Sequence, residues 1–134
     1  MLSQTVPAFP VENVVAATAF YAGRLGFTVV HLDEAGFAIV MRDTAEVHLW
    51  QADDQRWRDR PAGSAPVQSG AESFISGTAS CRILTDDIDG LYSELRAASV
   101  LHPTDHGSPV ATDWGTREFA ALDLDGNLLT FFQR

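Results

Sequence analysis

The chain has 134 residues, 46% hydrophobic and 20% charged, which suits one compact domain or two small halves sharing a core. Eighteen acids against 9 bases leave a net charge of −9, which argues against a nucleic-acid partner, because phosphate binding needs a basic surface. Cys81 is the only cysteine and no basic leader or long apolar run is present, so a disulfide, a Cys-rich zinc site, a secretory signal and a membrane span are not expected, and a reducing cytoplasm fits.

Val6–Val11 reads as a short strand, and Pro7 and Pro10 within it point to a sheet edge. Asn13 then stands where a helix N-cap belongs. Val14, Ala17, Phe20, Tyr21 and Leu25 follow at helical spacing, with Gly26 as a C-terminal stop. Phe27–Leu32, Phe37–Met41 and Val47–Trp50 read as three strands, the last two joined by the polar turn Arg42–Ala45. The order is β-α-β-β-β.

The Pro-, Gly- and Ser-rich stretch at about 59–78 reads as a linker between a first module of about 1–58 and a second of about 79–134. The second module repeats the pattern. Ala79–Thr85 is a strand, Asp86 or Asp87 caps a helix carrying Ile88, Leu91, Leu95 and Ala98, and Ser99–Leu101 begins another strand. His102–Trp114 reads as a loop. Phe119–Leu122 and Leu128–Phe132 then form a hairpin around Asp123-Leu124-Asp125-Gly126-Asn127, a strong turn signal. A shift of 74 places Asn13 on Asp87 and Tyr21 on Leu95. A shift of 82 places Phe37 on Phe119, Val47 on Leu129 and Trp50 on Phe132. The pattern therefore duplicates, with eight extra residues assigned to the 102–114 loop.

Alternate strand residues share a face, so Glu46, His48 and Trp50 lie together, as do Thr130 and Phe132. Such a surface suits a flat, partly polar ligand, and the acidity of the chain would draw in a cationic one. Other chemistry finds little support. His102 and His106 flank Pro103 and sit in a predicted loop, so their spacing does not define a metal pair. Asp123-x-Asp125-Gly126 lacks the glycine and glutamate positions of a calcium loop. There is no Gly-x-Ser-x-Gly elbow and no P-loop. Cys81 reads as an inert strand thiol, Asp86-Asp87 as helix capping and Asp53-Asp54 as a solvated loop.

Val6-Pro7, Val11-x-Asn13, Phe20-Tyr21 and Leu25-Gly26-Phe27, then Trp114-Gly115-Thr116-Arg117-Glu118-Phe119 and Asp123-Leu124-Asp125-Gly126-Asn127, resemble segments of the bleomycin-resistance proteins of the vicinal-oxygen-chelate superfamily. Leu124 stands where that family usually has proline. The resemblance implies an α+β fold of two tandem βαβββ modules with curled mixed sheets. It also implies a homodimer whose two clefts are built from modules of both chains. The family divides into metalloenzymes and metal-free drug binders. The enzymes place metal donors on the first and last strand of each module, here Val6 and His48, then Ser80 and Thr130. Val6 cannot donate and hydroxyls are poor ligands for transition ions, so neither metal nor another cofactor is expected.

The resemblance thus implies a small-molecule binding protein that sequesters a planar or cationic ligand, such as a bleomycin-type glycopeptide, without catalysis. Its expected ligand residues are Phe37, His48, Trp50, Trp114, Arg117, Thr130 and Phe132. His48 could equally be a satisfied core histidine, Trp114 a core aromatic and Arg117 half of a structural ion pair. Trp57, among Arg56, Arg58 and Arg60, ranks lower, as a flap or dimer contact. The competing readings are a metal-dependent lyase or dioxygenase of the same superfamily, and a non-catalytic interaction module.

Overall fold

The computed structural model describes residues 1–52, 57–59, 61–63, 71 and 75–134. The expectations placed on Asp53, Asp54, Arg56, Arg60 and much of the 59–78 stretch lie outside the described residues. In chain order the elements are β1 (Ala8–Val11), α1 (Val14–Gly23), β2 (Thr28–Asp33), β3 (Phe37–Arg42), β4 (Ala45–Gln51), a short 3-10 turn (Trp57–Asp59), β5 (Ser80–Leu84), α2 (Ile88–Ala97), β6 (Val110–Ala111), β7 (Arg117–Leu122) and β8 (Leu128–Gln133). They form two four-stranded mixed sheets, ordered β1-β4-β3-β2 and β5-β8-β7-β6. In each, the first strand runs parallel to the last and the remaining pairs are antiparallel. This is the expected pair of βαβββ modules. The proline-bearing β1 is an edge strand, where a missing ladder donor costs least.

The helices start where local chemistry dictates. The Asn13 side chain accepts from the Ala16 amide at 2.9 Å, and Asp87 accepts from Gly90 at 2.9 Å. Each satisfies a backbone donor that the first helical turn leaves free. A Cβ at Gly90 would sit 2.2 Å from Asp87 Oδ2, so a larger residue there would make the capping carboxylate shift. Val14, Ala17, Thr18 and Tyr21 of α1 are buried, as are Ile88, Tyr92 and Leu95 of α2. The buried strand residues Ala38, Val40, Val47, Leu49, Phe119, Ala121, Leu129 and Phe131 join them in one hydrophobic core that spans both modules.

Two expectations need correction. Ser99–Leu101 does not open a strand: Leu101 makes only a single bridge to Ala121, and the strand at that edge is Val110–Ala111, inside the segment read as a loop. The strand that is continuous in the first module is therefore interrupted in the second by an excursion, in which the Asp105 amide donates to the His102 carbonyl at 3.0 Å and the Gly107 amide to the Asp105 carboxylate at 3.0 Å. The repeat offset also changes. It is 74 through the helices and 82 for β4 on β8, but the buried pair Ala38 and Val40 maps onto Phe119 and Ala121, an offset of 81. Phe37 is thus equivalent to Glu118 and not to Phe119. The cause is the turn. Asp43-Thr44 alone joins Arg42 to Ala45, whereas three residues separate Asp123 from Asn127, which pair through the Asp123 amide and the Asn127 carbonyl at 3.0 Å.

Candidate ligand-binding faces

Each sheet buries one face against its helix and leaves the other open. On the first sheet the register sets Ala8 beside His48 and Pro10 beside Trp50 across the β1–β4 pair, with Ile39 beside His48 and Phe37 beside Trp50 across β3–β4. These residues share the open face. There Phe37 is the hub of a ring cluster. Its centroid lies 5.2 Å from His48 at 87° and 6.0 Å from Trp50 at 88°, both edge-to-face, and 5.9 Å from His31. Edge-to-face packing sets the electropositive rim of one ring against the electronegative face of the next, which fixes the cluster without filling the space above it. His48 Nε2 meets Glu46 Oε1 at 2.8 Å. Among the described residues the buried indole nitrogen of Trp50 has no hydrogen-bond partner. The Glu46, His48 and Trp50 side chains thus share a face as strand alternation predicts, and Phe37 and His31 join them there.

On the second sheet, the register places Arg82, Thr130 and Ala120 in one row and Leu84, Phe132 and Glu118 in the next. Thr130 and Phe132 share this open face. The Arg82 guanidinium lies 4.7 Å from the Phe132 ring centroid, and that of Arg134 5.6 Å from it. Arg82 also donates to Glu118, Nη2 to Oε2 at 2.6 Å and Nη1 to Oε1 at 3.4 Å, while the Thr116 hydroxyl donates to Oε2 at 3.2 Å. The Arg82 hydrogen bond holds the Glu118 carboxyl below its ordinary range against the opposing effect of burial, with the Arg82 charge and then the Thr116 hydroxyl adding smaller contributions.

Arg117 is not brought to this face. It has the parity of buried Phe119 and turns toward α2, where it grips Asp89 at 2.8 and 2.9 Å. It is a structural ion pair on the helix side. Trp114 stands in the turn before β7 and is 68% exposed. Nothing in the sequence singled out Arg82, because its place beside Thr130 depends on the β5–β8 register.

The donor points implied by the family resemblance can be set on this geometry. The neighbours of His48 and Thr130 across the parallel ladders are Ala8 and Arg82, two residues beyond the Val6 and Ser80 assigned from sequence. Alanine has no donor and a guanidinium is a cation, so with His48 and Thr130 this set does not fit a divalent metal. Among the described residues no three His, Cys, Asp or Glu side chains converge on one point. The Cys81 thiol is pushed up to about 11 by burial first and by Asp123 second, so it is protonated and unreactive at neutral pH.

Three depressions of about 410, 580 and 610 Å³ lie near the junction of the modules, around the Asp43-Thr44 turn, the N-terminal segment and the β5–α2 connection. None of the seven expected ligand residues lines them. On these two faces Phe37, His48, Trp50, Thr130 and Phe132 are each half-buried in the single chain. Among the described residues no helix is long and apolar enough to cross a membrane.

Known proteins give this geometry a context. The family model for the glyoxalase/bleomycin resistance protein/dioxygenase superfamily matches residues 3–131. Bleomycin resistance proteins of Geobacillus stearothermophilus and Staphylococcus aureus are 46% identical to the chain over 131 residues, covering 98% of it and 96% of the relative. A crystal structure of a bleomycin-binding protein complexed with bleomycin superposes with a TM-score of 0.69 at 25% identity, covering 99% of both chains. Lactoylglutathione lyase from Agrobacterium tumefaciens superposes with a TM-score of 0.74 at 16% identity over 98% of this chain and 92% of its own, a likeness of fold alone.

Proposed function

The chain belongs to the glyoxalase/bleomycin resistance protein/dioxygenase superfamily, and from that membership we propose that it sequesters a bleomycin-type glycopeptide by metal-free, non-catalytic binding. The observation that carries this reading is the Phe37–His48–Trp50 ring cluster on an open sheet face, in a chain so close to bleomycin resistance proteins. Planar rings of a ligand would stack over that cluster, and the carboxylate of Glu46 with the net charge of −9 would attract a cationic group. The expected aromatic Trp114, exposed in its turn, would close over the ligand from the second module.

In a single chain the expected ligand residues on both faces are only half-buried, and none lines the depressions described above. We infer a homodimer in which the open face of one copy is completed by the other, giving clefts at the interface. Sedimentation at low concentration checks this: a species of monomer mass that persists at all concentrations would remove the shared cleft.

Titration of bleomycin against tryptophan fluorescence tests the function. Saturable quenching with the drug recovered unchanged in mass is expected. No response at high micromolar drug would sink the reading. Stoichiometric transition metal in protein purified without chelator would favour the lyase or dioxygenase alternative instead.

A further inference from the structure

Arg82 is an odd residue to find on a face that should receive a cationic ligand. The chain is acidic, and the equivalent position of the first sheet, Ala8, carries no charge. A bare guanidinium there would repel the ligand. Here it is not bare. Glu118 accepts from both terminal nitrogens and cancels the charge, and Thr116 holds Glu118 in turn. The ring of Phe132 lies beneath the guanidinium.

The two bonds to Glu118 use two of the five N–H groups that a guanidinium carries. Among the described residues the other three donate to nothing. Arg82 is 46% exposed on its side chain and Glu118 20%, so the carboxylate lies deeper and the guanidinium is the more open of the two. Phe132, an expected stacking residue, already has Arg82 and Arg134 against its ring, which leaves it serving the arginine and not the ligand.

We propose that Arg82 is a specificity-determining contact of the ligand site, donating hydrogen bonds to the neutral oxygens of a glycopeptide, its amide carbonyls and sugar hydroxyls. Phe132 and Glu118 are positioning residues for it. Glu118 fixes the fork and removes the net charge, so the donors work without opposing the ligand's cation. The two sheets then divide recognition: the first supplies rings and negative charge, the second supplies neutralised donors. This inference rests on the proposed function, whose failure must be told apart from its own.

The experiment is a fluorescence titration with bleomycin of the wild-type chain, R82A, R82K and E118Q, each at low and high salt, alongside thermal melts. Loss of hydrogen bonds from a charged donor should weaken R82A about tenfold or more. R82K keeps the charge but not the planar fork and should stay about fivefold or more below wild type. E118Q leaves the guanidinium charge uncancelled, so its affinity should drop at low salt and recover toward wild type as salt screens the repulsion. R82K also covers the case in which R82A fails to fold. If the wild type itself binds no drug, the proposed function falls. If the wild type binds and R82A or R82K matches it within about twofold, Arg82 is no contact while the function stands. Tighter binding by E118Q at low salt would overturn the charge-cancelling role of Glu118.

Discussion

The two modules share a topology and differ in where they spend their polar side chains. In the first, the β3–β4 turn at Asp43-Thr44 is exposed and borders a depression shared with the second module, where the adjacent Arg42 donates to Glu94 of α2 at 3.0 Å. In the second, the equivalent turn is folded back into the other module. Asp123, 5% exposed, accepts from the Tyr21 hydroxyl at 3.0 Å, from the Asn127 side chain at 2.9 Å, and from the amides of Asp125 and Asn127 at 2.9 Å. Asn127 is fully buried and donates to the Pro10 carbonyl at 2.9 Å, while accepting from the Ala79 amide at 3.1 Å. The Glu12 amide reaches Asp125 at 2.9 Å. One turn thus satisfies buried groups of β1, α1 and its own hairpin, and ties the modules together. Duplicated units can thus keep one fold while equivalent turns join the modules differently, one through a buried network at Asp123 and the other beside the partly exposed Arg42–Glu94 pair.

The largest expected effect breaks that junction. Asp123→Ala would leave the Tyr21 hydroxyl, the Asn127 amide and two backbone donors without their acceptor. Buried donors left unpaired cost about 1–3 kcal/mol each where no water reaches them, so a loss of about 3 kcal/mol or more is expected in urea denaturation. A loss under 1 kcal/mol would show that the turn is not the junction. Next comes Phe37→Ala on the open face of the first sheet. It removes the hub of three ring contacts. A central aromatic of a binding site commonly contributes about 2 kcal/mol, so bleomycin affinity should fall about thirtyfold. The fold should change less than in Asp123→Ala, because Phe37 is not part of the buried core.

Acid acts mainly on the second module. Hydrogen bonds from Arg117, Tyr92 and Arg82 are the leading causes that hold Asp89, Asp105 and Glu118 below their ordinary range. A folded-state value below the unfolded one adds stability that is complete above the ordinary carboxylate range, near pH 4, and is lost as pH falls through the lowered values. Asp125 has the opposite sign: burial raises it, so its contribution diminishes as pH rises through the raised value. Three groups against one predict a urea midpoint that drops below about pH 4, with hydrogen exchange rising first around β7 and α2. A midpoint that climbs on acidification would contradict the pairing described. A smaller effect is expected at Asp43, whose φ of 53° lies in the left-handed region. Glycine there relieves the Cβ strain, so Asp43→Gly should be neutral or stabilising by about 1 kcal/mol at most.

What sequence could reveal here follows the range of each interaction. The caps Asn13 and Asp87 act within three residues and were readable as local chemistry, and the Glu46–His48–Trp50 face follows from strand alternation. The binding partners of Asp123 were not readable, since Tyr21 lies 102 residues away. Nor was the Arg82–Glu118 pair, 36 residues apart, because it depends on which strands become neighbours. The 81-residue offset of β7 required knowing that one turn is longer, which alternation along a single strand does not record. The β6 edge was missed for a related reason: Val110–Ala111 is too short to show a period, and it becomes a strand only by lying against β7.

The smallest expected effect is the sharpest check on the division of faces. Arg117 and Glu118 are adjacent in sequence, and Arg117 was expected either at the ligand site or in a structural ion pair. Strand geometry sends them to opposite sides. Glu118 meets Arg82 on the open face and Arg117 meets Asp89 beside α2. The Arg117–Asp89 pair is 47% and 67% exposed, and exposed pairs of this kind contribute about 0–1 kcal/mol. Arg117→Ala should therefore shift the urea midpoint barely and change bleomycin affinity less than about twofold, while R82A, across β8 on the other face of the sheet, loses about tenfold. Equal losses in the two variants would mean that the drug reaches both faces of the second sheet, or that either change disturbs the sheet as a whole. Unequal losses in the expected order would place the ligand on the side of the sheet away from the helix.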